Sequence, residues 1–117
     1  FIDCTGIKFV NDTFGHEAGD KFLITVCKCI KKYVRENEVY RKGGDEFVVV
    51  CEDIPQELFY NKMKVIEWEI SSNGYSASLG YIYREKSDNL STMIDEADKL
   101  MYEEKCKYYG DNKARRR

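Results

Sequence analysis

Two adjacent acids follow a pair of glycines in the segment RKGGDEFVVV, which runs from Arg41 to Val50. A tight turn between two strands favours the glycines, but it does not require Asp45 followed by Glu46. A third acid, Asp3, ends the apolar segment at the start of the sequence. Carboxylates that converge at one edge of a sheet form a set of hard oxygen ligands that suits Mg²⁺. The alternative is that Asp45 and Glu46 are only the solvated tip of a hairpin.

The segment after Asp3 has the features of a phosphate-binding loop. Residues 4–8 leave the strand through a small, glycine-containing turn, where backbone N–H groups and the Lys8 ammonium suit phosphate. Farther along, Asn11 and Asp20 carry groups that recognise a base. A carboxylate accepts hydrogen bonds from the N1–H and the amine of guanine, and an amide both donates and accepts. Each of these residues alone is also ordinary turn chemistry, so the residues by themselves leave both interpretations open.

The elements that position these side chains follow from the spacing of the apolar residues. The run FVVVC is apolar on both faces, which predicts a central strand. The predicted elements are a strand ending at Asp3, a loop with one helical turn, a helix over 17–35, strands over 38–41 and 47–51, a helix starting at Pro55, a strand over 75–84 and a helix over 91–109. The order β-α-β-β-α-β-α, with an antiparallel hairpin inside βαβ units, predicts a ferredoxin-like α+β fold with the helices on one face of the sheet.

The composition restricts the classes of function. The chain has 117 residues, of which 43% are hydrophobic and 34% charged, as is typical of one globular domain. A net charge of −2 provides no general attraction to nucleic acid. No apolar run reaches the roughly 18–20 residues of a membrane span, and no signal peptide is recognisable. Five cysteines without a disulfide-like spacing suit a reducing compartment, so we expect a cytoplasmic domain with no membrane contact and no nucleic-acid partner.

Four segments of the chain resemble, in the same order, the signature sequences of one family. They are IKFVNDTFGHEAGD (Ile7 to Asp20), GGDEF (Gly43 to Phe47), SLG (Ser78 to Gly80) and EADKLMYEEK (Glu96 to Lys105). Together they resemble the GGDEF family, the diguanylate cyclases, across nearly the whole chain. The resemblance implies a nucleotidyl-cyclase-type central antiparallel sheet flanked by helices. We expect this domain to occupy residues 1–112, with an N-terminal segment missing, and residues 113–117 to be a basic tail.

The resemblance also implies an activity, a cofactor and partners. Members of this family condense two GTP molecules into cyclic di-GMP and release pyrophosphate. Each domain binds one GTP and two domains meet face to face, so catalysis requires a homodimer. The expected cofactor is Mg²⁺ or Mn²⁺. An upstream sensory or receiver domain usually controls the meeting of the two domains, so we expect the chain to be the cytoplasmic domain of a larger signalling protein.

Carried over by position, the resemblance implies a role for each residue of the site. Asp3 and Asp45 bind the metal through their carboxylates, and Cys4 binds it through its backbone carbonyl. Asp45 or Glu46 helps to activate the 3′-hydroxyl nucleophile. Lys8 stabilises charge in the transition state. The positions that contact the nucleotide are Gly6, Ile7, Lys8 and Lys105 at the phosphates, Asn11 and Asp20 at the guanine, and Gly44 through the close approach of a backbone without a side chain.

The sequence departs from the family pattern at positions that bear on activity. Thr5 stands where the family has a second acid. Tyr109 stands where the family has a basic residue, four positions after the lysine that matches Lys105. The product-binding pattern Arg-x-x-Asp is replaced by Val34 and Asn37, so we predict no product inhibition through that site. Three functions are compatible with the sequence: an active diguanylate cyclase, a degenerate domain that binds GTP as a regulatory sensor, and a purely structural dimerisation module.

Overall fold

A four-stranded antiparallel sheet forms the centre of the domain. The structure, a computed structural model, describes residues 1–86 and 89–110. The elements are β1 (Ile2–Asp3), α1 (Ile7–Phe14), α2 (His16–Lys31), a 3₁₀ turn (Glu36–Glu38), β2 (Val39–Arg41), β3 (Glu46–Val49), α3 (Gln56–Ser72), β4 (Ser78–Leu79) and α4 (Leu90–Tyr109). The strand order is β2-β3-β1-β4, and every pairing is antiparallel. The predicted α+β fold, its β2–β3 hairpin and the interior position of β3 are confirmed.

Helices cover both faces of the sheet, so the prediction of helices on one face was wrong. Successive residues of a strand point to opposite sides, and β3 buries apolar side chains on both of its sides. On one face, Ile2 and Phe47 pack with buried side chains of α2 and α3. On the other face, Val48 packs with Ala97 of α4. Asp3 follows Ile2 in β1, so the alternation directs Asp3 toward the face that α4 covers.

The segment after β1 is a helix, where the sequence predicted a loop with one helical turn. α1 follows Gly6, whose φ of 86° is a left-handed conformation that glycine adopts without strain. Ile7 and Val10 pack against the core, and this burial stabilises the helix although the following Asn-Asp-Thr sequence favours turns. The helix ends where the Gly15 N–H donates to the Asn11 carbonyl at 2.9 Å.

The last strand is shorter than predicted. The sequence predicted a strand over 75–84, but β4 pairs with β1 only through Ser78 and Leu79. One further backbone hydrogen bond joins the Thr5 N–H to the Ser76 carbonyl at 3.1 Å. Because β4 lies at the edge of the sheet with β1 as its neighbour, its ladder ends where β1 ends.

The helix α4 packs closely on one face of the sheet. It begins at Leu90, one residue before the predicted Ser91. It packs so closely on the sheet that a Cβ built on Gly80 would lie 2.1 Å from the backbone oxygen of Ala97. None of the described helices is both long enough and apolar enough to cross a bilayer. The predicted basic tail, residues 113–117, lies outside the described residues.

Candidate functional site

Three carboxylates meet where β1 ends and β3 begins. Asp3 is paired with Glu46 across the two antiparallel strands, and the Cys4 N–H donates to the Asp45 carbonyl at 2.8 Å. One carboxylate oxygen from each of the three acids lies within 4.8 Å of the others. We call Asp3, Asp45 and Glu46 the acid cluster. Like charges placed directly opposite each other in a sheet repel, so a nearby cation would stabilise this arrangement.

The acid cluster has the donor chemistry that a divalent metal requires. Carboxylate oxygens are hard ligands, and Mg²⁺ usually takes one or two of them and completes its coordination with water and phosphate. Asp3 is only 1% exposed, whereas Asp45 and Glu46 are partly exposed. The cluster is therefore anchored in the sheet and open at the hairpin, and its residues fit Mg²⁺ or Mn²⁺.

A buried cation from α4 reaches the same acids. The Lys105 ammonium lies 3.1 Å from a carboxylate oxygen of Asp3, and the two side chains are 8% and 1% exposed. Lys105 follows Met101 by one helical turn, and Met101 packs against the sheet, so one face of α4 buries both residues. The sequence predicted Lys105 at the phosphates, and in this structure its partner is Asp3.

Two tyrosines at the end of α4 lie over the loop that follows β1. A Cβ built on Gly6 would be 3.7 Å from the Tyr109 hydroxyl and 3.8 Å from the Tyr108 hydroxyl. Burial raises the pKa of Tyr109 above its ordinary value, and the negative charges of Asp3 and Asp45 raise it further, while a hydrogen bond from the Gly6 backbone opposes this shift. The residue that replaces the family's basic side chain therefore contacts the predicted phosphate loop.

The Cys4 side chain belongs to the hydrophobic core. It is buried among the apolar side chains of α2 and α3, and this burial, with the charges of Asp3 and Asp45, raises the pKa of the thiol to about 12. A protonated thiol is a poor metal ligand because the thiolate is the binding form. This agrees with a role for the Cys4 backbone carbonyl alone, which accepts a long hydrogen bond of 3.4 Å from the Ile7 N–H.

The helices α1 and α2 bring together the two residues predicted to recognise guanine. The Asn11 side chain lies directly against Gly19, where a built Cβ would be 1.7 Å from the Asn11 side-chain oxygen. Asp20 follows Gly19 in α2 and is exposed. Lys8 is exposed on the first turn of α1. The contact between α1 and α2 therefore places the Asn11 side chain beside the residue that precedes Asp20.

The hairpin tip leaves Gly44 accessible. Its carbonyl accepts a hydrogen bond of 2.6 Å from the Arg41 guanidinium, which closes the turn. Apart from Gly44 itself and its two chain neighbours, no described residue has an atom within 4 Å of a Cβ built on Gly44. Packing within the domain therefore does not explain a glycine at this position, whereas the approach of a ligand would.

Ser78 lies beside Asp3, although the sequence predicted no role for it. It is paired with Asp3 across β1 and β4, and its hydroxyl lies 2.5 Å from the hydroxyl of Thr5. Only the strand order places Ser78 beside Asp3, because the two residues are far apart in sequence. The contact of Lys105 with Asp3 likewise cannot be predicted from local sequence, because it depends on how α4 packs on the sheet.

A family model and known proteins are similar to this chain over most of its length. The family model described as "Diguanylate cyclase, GGDEF domain" matches residues 1–111. The probable diguanylate cyclase DgcI of Escherichia coli K12 is 32% identical over 107 residues, which cover 89% of this chain and 24% of DgcI. The diguanylate cyclase DgcN of the same strain is 29% identical over 116 residues, which cover 90% of this chain and 28% of DgcN. The chain thus spans about a quarter of the length of these relatives.

Solved structures show the same fold. The GGDEF domain of YfiN (TpbB) from Pseudomonas aeruginosa superposes with a TM-score of 0.75 at 28% identity, covering 91% of this chain and 73% of that chain. The diguanylate cyclase SiaD, solved in complex with its activator SiaC from Pseudomonas aeruginosa, superposes with a TM-score of 0.77, covering 91% and 45% of the two chains. At 23% identity, SiaD supports the fold alone. Because the family model matches nearly every residue, this chain belongs to the GGDEF domain family.

Proposed function

We propose that this domain is a diguanylate cyclase, which condenses two GTP molecules into cyclic di-GMP and releases two molecules of pyrophosphate. The observation that carries the proposal is the acid cluster, in which carboxylates from two strands lie within 4.8 Å of one another. Its residues fit the metal that this reaction uses. Two of the relatives described above are named as diguanylate cyclases or probable diguanylate cyclases, which supports the same activity here.

The residues around the cluster have the charge that a triphosphate needs. Asp3 and Asp45, with the Cys4 carbonyl, would hold Mg²⁺ or Mn²⁺. When bound, such an ion polarises phosphate oxygens as a Lewis acid. The backbone N–H groups of Gly6 and Ile7 stand at the N-terminal end of α1, where the helix dipole favours an anion. Two lysines would add positive charge at the phosphates, Lys8 from α1 and Lys105 from α4.

The chemical step is a displacement at phosphorus. Asp45 or Glu46 accepts the proton of the 3′-hydroxyl of one GTP. The 3′-oxygen then forms a bond to the α-phosphorus of the second GTP, and the bond from that phosphorus to the bridging oxygen breaks as pyrophosphate leaves. The same step with the two nucleotides exchanged closes the ring. Such a transfer depends mainly on positioning and charge neutralisation, which this site is built to provide.

The proposed reaction requires a homodimer, because each domain presents a single GTP and the two nucleotides must face each other. An upstream sensory or receiver domain in the full protein would control how the two domains meet. Asn11 and Asp20 would select guanine over adenine by hydrogen bonding to the N1–H and the amine. The domain would act in the cytoplasm, where GTP is available and where the five free cysteines stay reduced.

The experiment that tests the proposal is incubation of the full-length protein with GTP and Mg²⁺, followed by chromatographic separation of the nucleotides. We expect cyclic di-GMP and pyrophosphate from the parent protein and neither from the Asp45→Asn and Glu46→Gln variants. The matched control is Glu52→Gln, which neutralises an exposed acid beyond the end of β3 and should leave the product yield unchanged. The absence of product from the parent protein would refute turnover.

A second candidate function is the binding of GTP without turnover. Two observations favour it: the neutral Tyr109 hydroxyl contacts the Gly6 loop where the family has a basic side chain, and Thr5 replaces an acid of the family pattern. Calorimetry with GTP separates the two functions. Saturable binding without product would support a regulatory sensor, and the absence of both would leave only a structural role in dimerisation.

A further inference from the structure

The contact between Lys105 and Asp3 has a consequence for the order of binding. The Lys105 ammonium lies 3.1 Å from Asp3, and the Asp3 carboxylate is also part of the acid cluster that would hold a metal. A lysine proposed to neutralise phosphates is thus positioned on a proposed metal ligand. The same carboxylate cannot have both cations as close neighbours without repulsion between them.

We propose that Lys105 is the built-in counter-ion of the acid cluster, that it competes with the divalent metal for Asp3, and that the triphosphate of GTP draws it away. The inference rests on the proposed metal site and GTP substrate. It adds that the metal and the nucleotide each bind more tightly when the other is present, because both displace the same ion pair.

The electrostatics of the cluster explain why a resident cation is needed. Asp3 is almost fully buried and stands directly opposite Glu46 in the β1–β3 ladder. Burial of a carboxylate is costly unless it is paired, and an opposing like charge adds repulsion. The Lys105 ammonium satisfies this requirement from α4, so the ion pair stabilises the end of β1 without a metal.

The same geometry explains why the Lys105 ammonium needs a new partner when a metal binds Asp3. A divalent ion on Asp3 would stand within a few ångströms of the Lys105 ammonium, where two positive charges repel strongly in a poorly solvated site. Lys105 is itself nearly buried, and a buried ammonium without a counter-ion is costly. This electrostatic cost lowers the affinity of the acid cluster for a metal when no nucleotide is bound.

The triphosphate of GTP would supply that new partner. Tyr109, one helical turn beyond Lys105 on α4, already contacts Gly6 in the loop that would hold the phosphates. The last turns of α4 therefore lie beside this loop, so Lys105 has to move only from Asp3 toward the phosphates. Coupling of this kind is reciprocal, so the factor by which GTP tightens metal binding equals the factor by which the metal tightens GTP binding.

The test is a titration of the nucleotide-free, full-length protein with Mn²⁺, followed by the electron paramagnetic resonance signal of free Mn²⁺. We expect Lys105→Met, which removes the ammonium but keeps the length of the side chain, to bind Mn²⁺ about tenfold more tightly than the parent, within the usual range of coupling between sites. The matched control is Lys107→Met on the same helix, whose ammonium is exposed and paired with Glu104 at 3.0 Å. It should bind Mn²⁺ as the parent does.

The titration has results that would overturn the inference. Equal or weaker Mn²⁺ binding by Lys105→Met refutes competition, and so does the absence of Mn²⁺ binding to both proteins. If Lys105→Met does not fold, the parent protein provides the test through the ¹⁵N signal of the Lys105 ammonium. Saturating Mg²⁺ should abolish the protected ammonium signal, and a signal that persists unchanged would refute displacement.

The failure of this inference can be distinguished from the failure of the proposed function. Tighter Mn²⁺ binding by Lys105→Met in a protein that makes no cyclic di-GMP would support the counter-ion role and refute turnover. Product formation together with unchanged Mn²⁺ affinity in Lys105→Met would support the cyclase and overturn the counter-ion role.

Discussion

The hydroxyl of Thr5 lies 2.5 Å from the hydroxyl of Ser78, and both side chains are buried. Thr5 also donates to the Asp3 carbonyl at 3.4 Å, which leaves Ser78 to donate to Thr5. Thr5 is thus directed toward β4 rather than into the acid cluster. The threonine at this position of the family pattern therefore leaves the three converging carboxylates in place.

This pair predicts a measurable coupling energy. Thr5→Val and Ser78→Ala should each lower the free energy of unfolding by about 1–2 kcal/mol, because each leaves a buried hydroxyl without its partner. The double variant should be less destabilised than the sum of the two by about 1 kcal/mol. Urea denaturation of the four proteins measures this cycle. Strictly additive losses would contradict the pair, and Mn²⁺ affinity in Thr5→Val should equal that of the parent.

The sequence predicted more of the acid cluster than of the contacts around it. Asp3, Asp45 and Glu46 are marked by their positions at strand ends, so the strand order alone brings them together. Lys105 and Tyr109 lie in a helix whose packing on the sheet is not encoded in the local pattern, so their contacts with Asp3 and Gly6 appear only in the structure.

The same distinction separates the predicted elements that were confirmed from those that were wrong. The hairpin and α4 follow from periodic apolar residues that span several turns or alternate along a strand. The loop with one helical turn predicted before residue 17 was wrong, because the burial of Ile7 and Val10 outweighs local turn propensity and stabilises all of α1. The strand predicted over 75–84 was too long, because its extent depends on its partner β1 and not on its own composition.

Replacing glycine with alanine should affect the free energy of unfolding strongly at Gly80 and only slightly at Gly44. At Gly80, a Cβ would lie 2.1 Å from backbone atoms of Ala97 and Met101, which cannot move without shifting α4. Gly80→Ala should lower the free energy of unfolding by about 1–3 kcal/mol. At Gly44 there is open space, so Gly44→Ala should change stability by less than about 1 kcal/mol.

For GTP affinity, in contrast to stability, we expect Gly44→Ala to have a large effect. If the nucleotide approaches the hairpin backbone closely, Gly44→Ala weakens GTP binding although the folded domain is intact, by about tenfold or more. Thermal unfolding and calorimetry with GTP measure the two effects separately. Unchanged GTP affinity in Gly44→Ala would show that the hairpin tip does not contact the nucleotide.

Substitution of Gly19 should weaken guanine recognition indirectly, by displacing the Asn11 side chain. A Cβ at this position would lie 1.7 Å from the Asn11 side-chain oxygen, and the Asn11 side chain can rotate away at little cost. Gly19→Ala should therefore change stability by less than about 1 kcal/mol, while GTP affinity falls about tenfold through loss of the positioned amide. Calorimetry with GTP measures the change.

The control for this prediction is the same substitution without the asparagine. In an Asn11→Ala background, Gly19→Ala should have no further effect on GTP affinity, because the displaced amide is already absent. An equal loss of affinity in both backgrounds would assign the effect to α2 itself and contradict the positioning of Asn11 by Gly19.

We expect an arginine in place of Tyr109, where the family has a basic residue, to tighten GTP binding. Its hydroxyl contacts the Gly6 loop, so an arginine there would bring a permanent positive charge to the phosphates. Tyr109→Arg should tighten GTP binding by about threefold to tenfold, since hydrogen bonds to charged groups exceed neutral ones by about 1 kcal/mol. The control, Tyr40→Arg, adds the same charge at an exposed position on β2. Equal effects of the two variants would indicate a general charge effect.

Because the Cys4 thiol is buried, we expect the free energy of unfolding to fall in alkali. Burial, with the charges of Asp3 and Asp45, raises its pKa from 9.0 to about 12 in the folded domain. Above pH 9 the unfolded chain releases this proton while the folded domain retains it, so the stabilising contribution is complete below that pH and is lost as the pH rises toward 12. From this thiol alone, the free energy of unfolding should fall by up to about 1.4 kcal/mol per pH unit.

Urea denaturation between about pH 8 and about pH 11 measures this slope. Cys4→Ala removes the buried thiol, so the stability of this variant should fall less steeply with pH than that of the parent. Cys106→Ala, which removes a partly buried thiol from α4, is the matched control for the loss of a cysteine. Identical slopes for the parent and Cys4→Ala would show that the Cys4 thiol ionises alike in the folded and unfolded chain, and this would contradict its burial in the core.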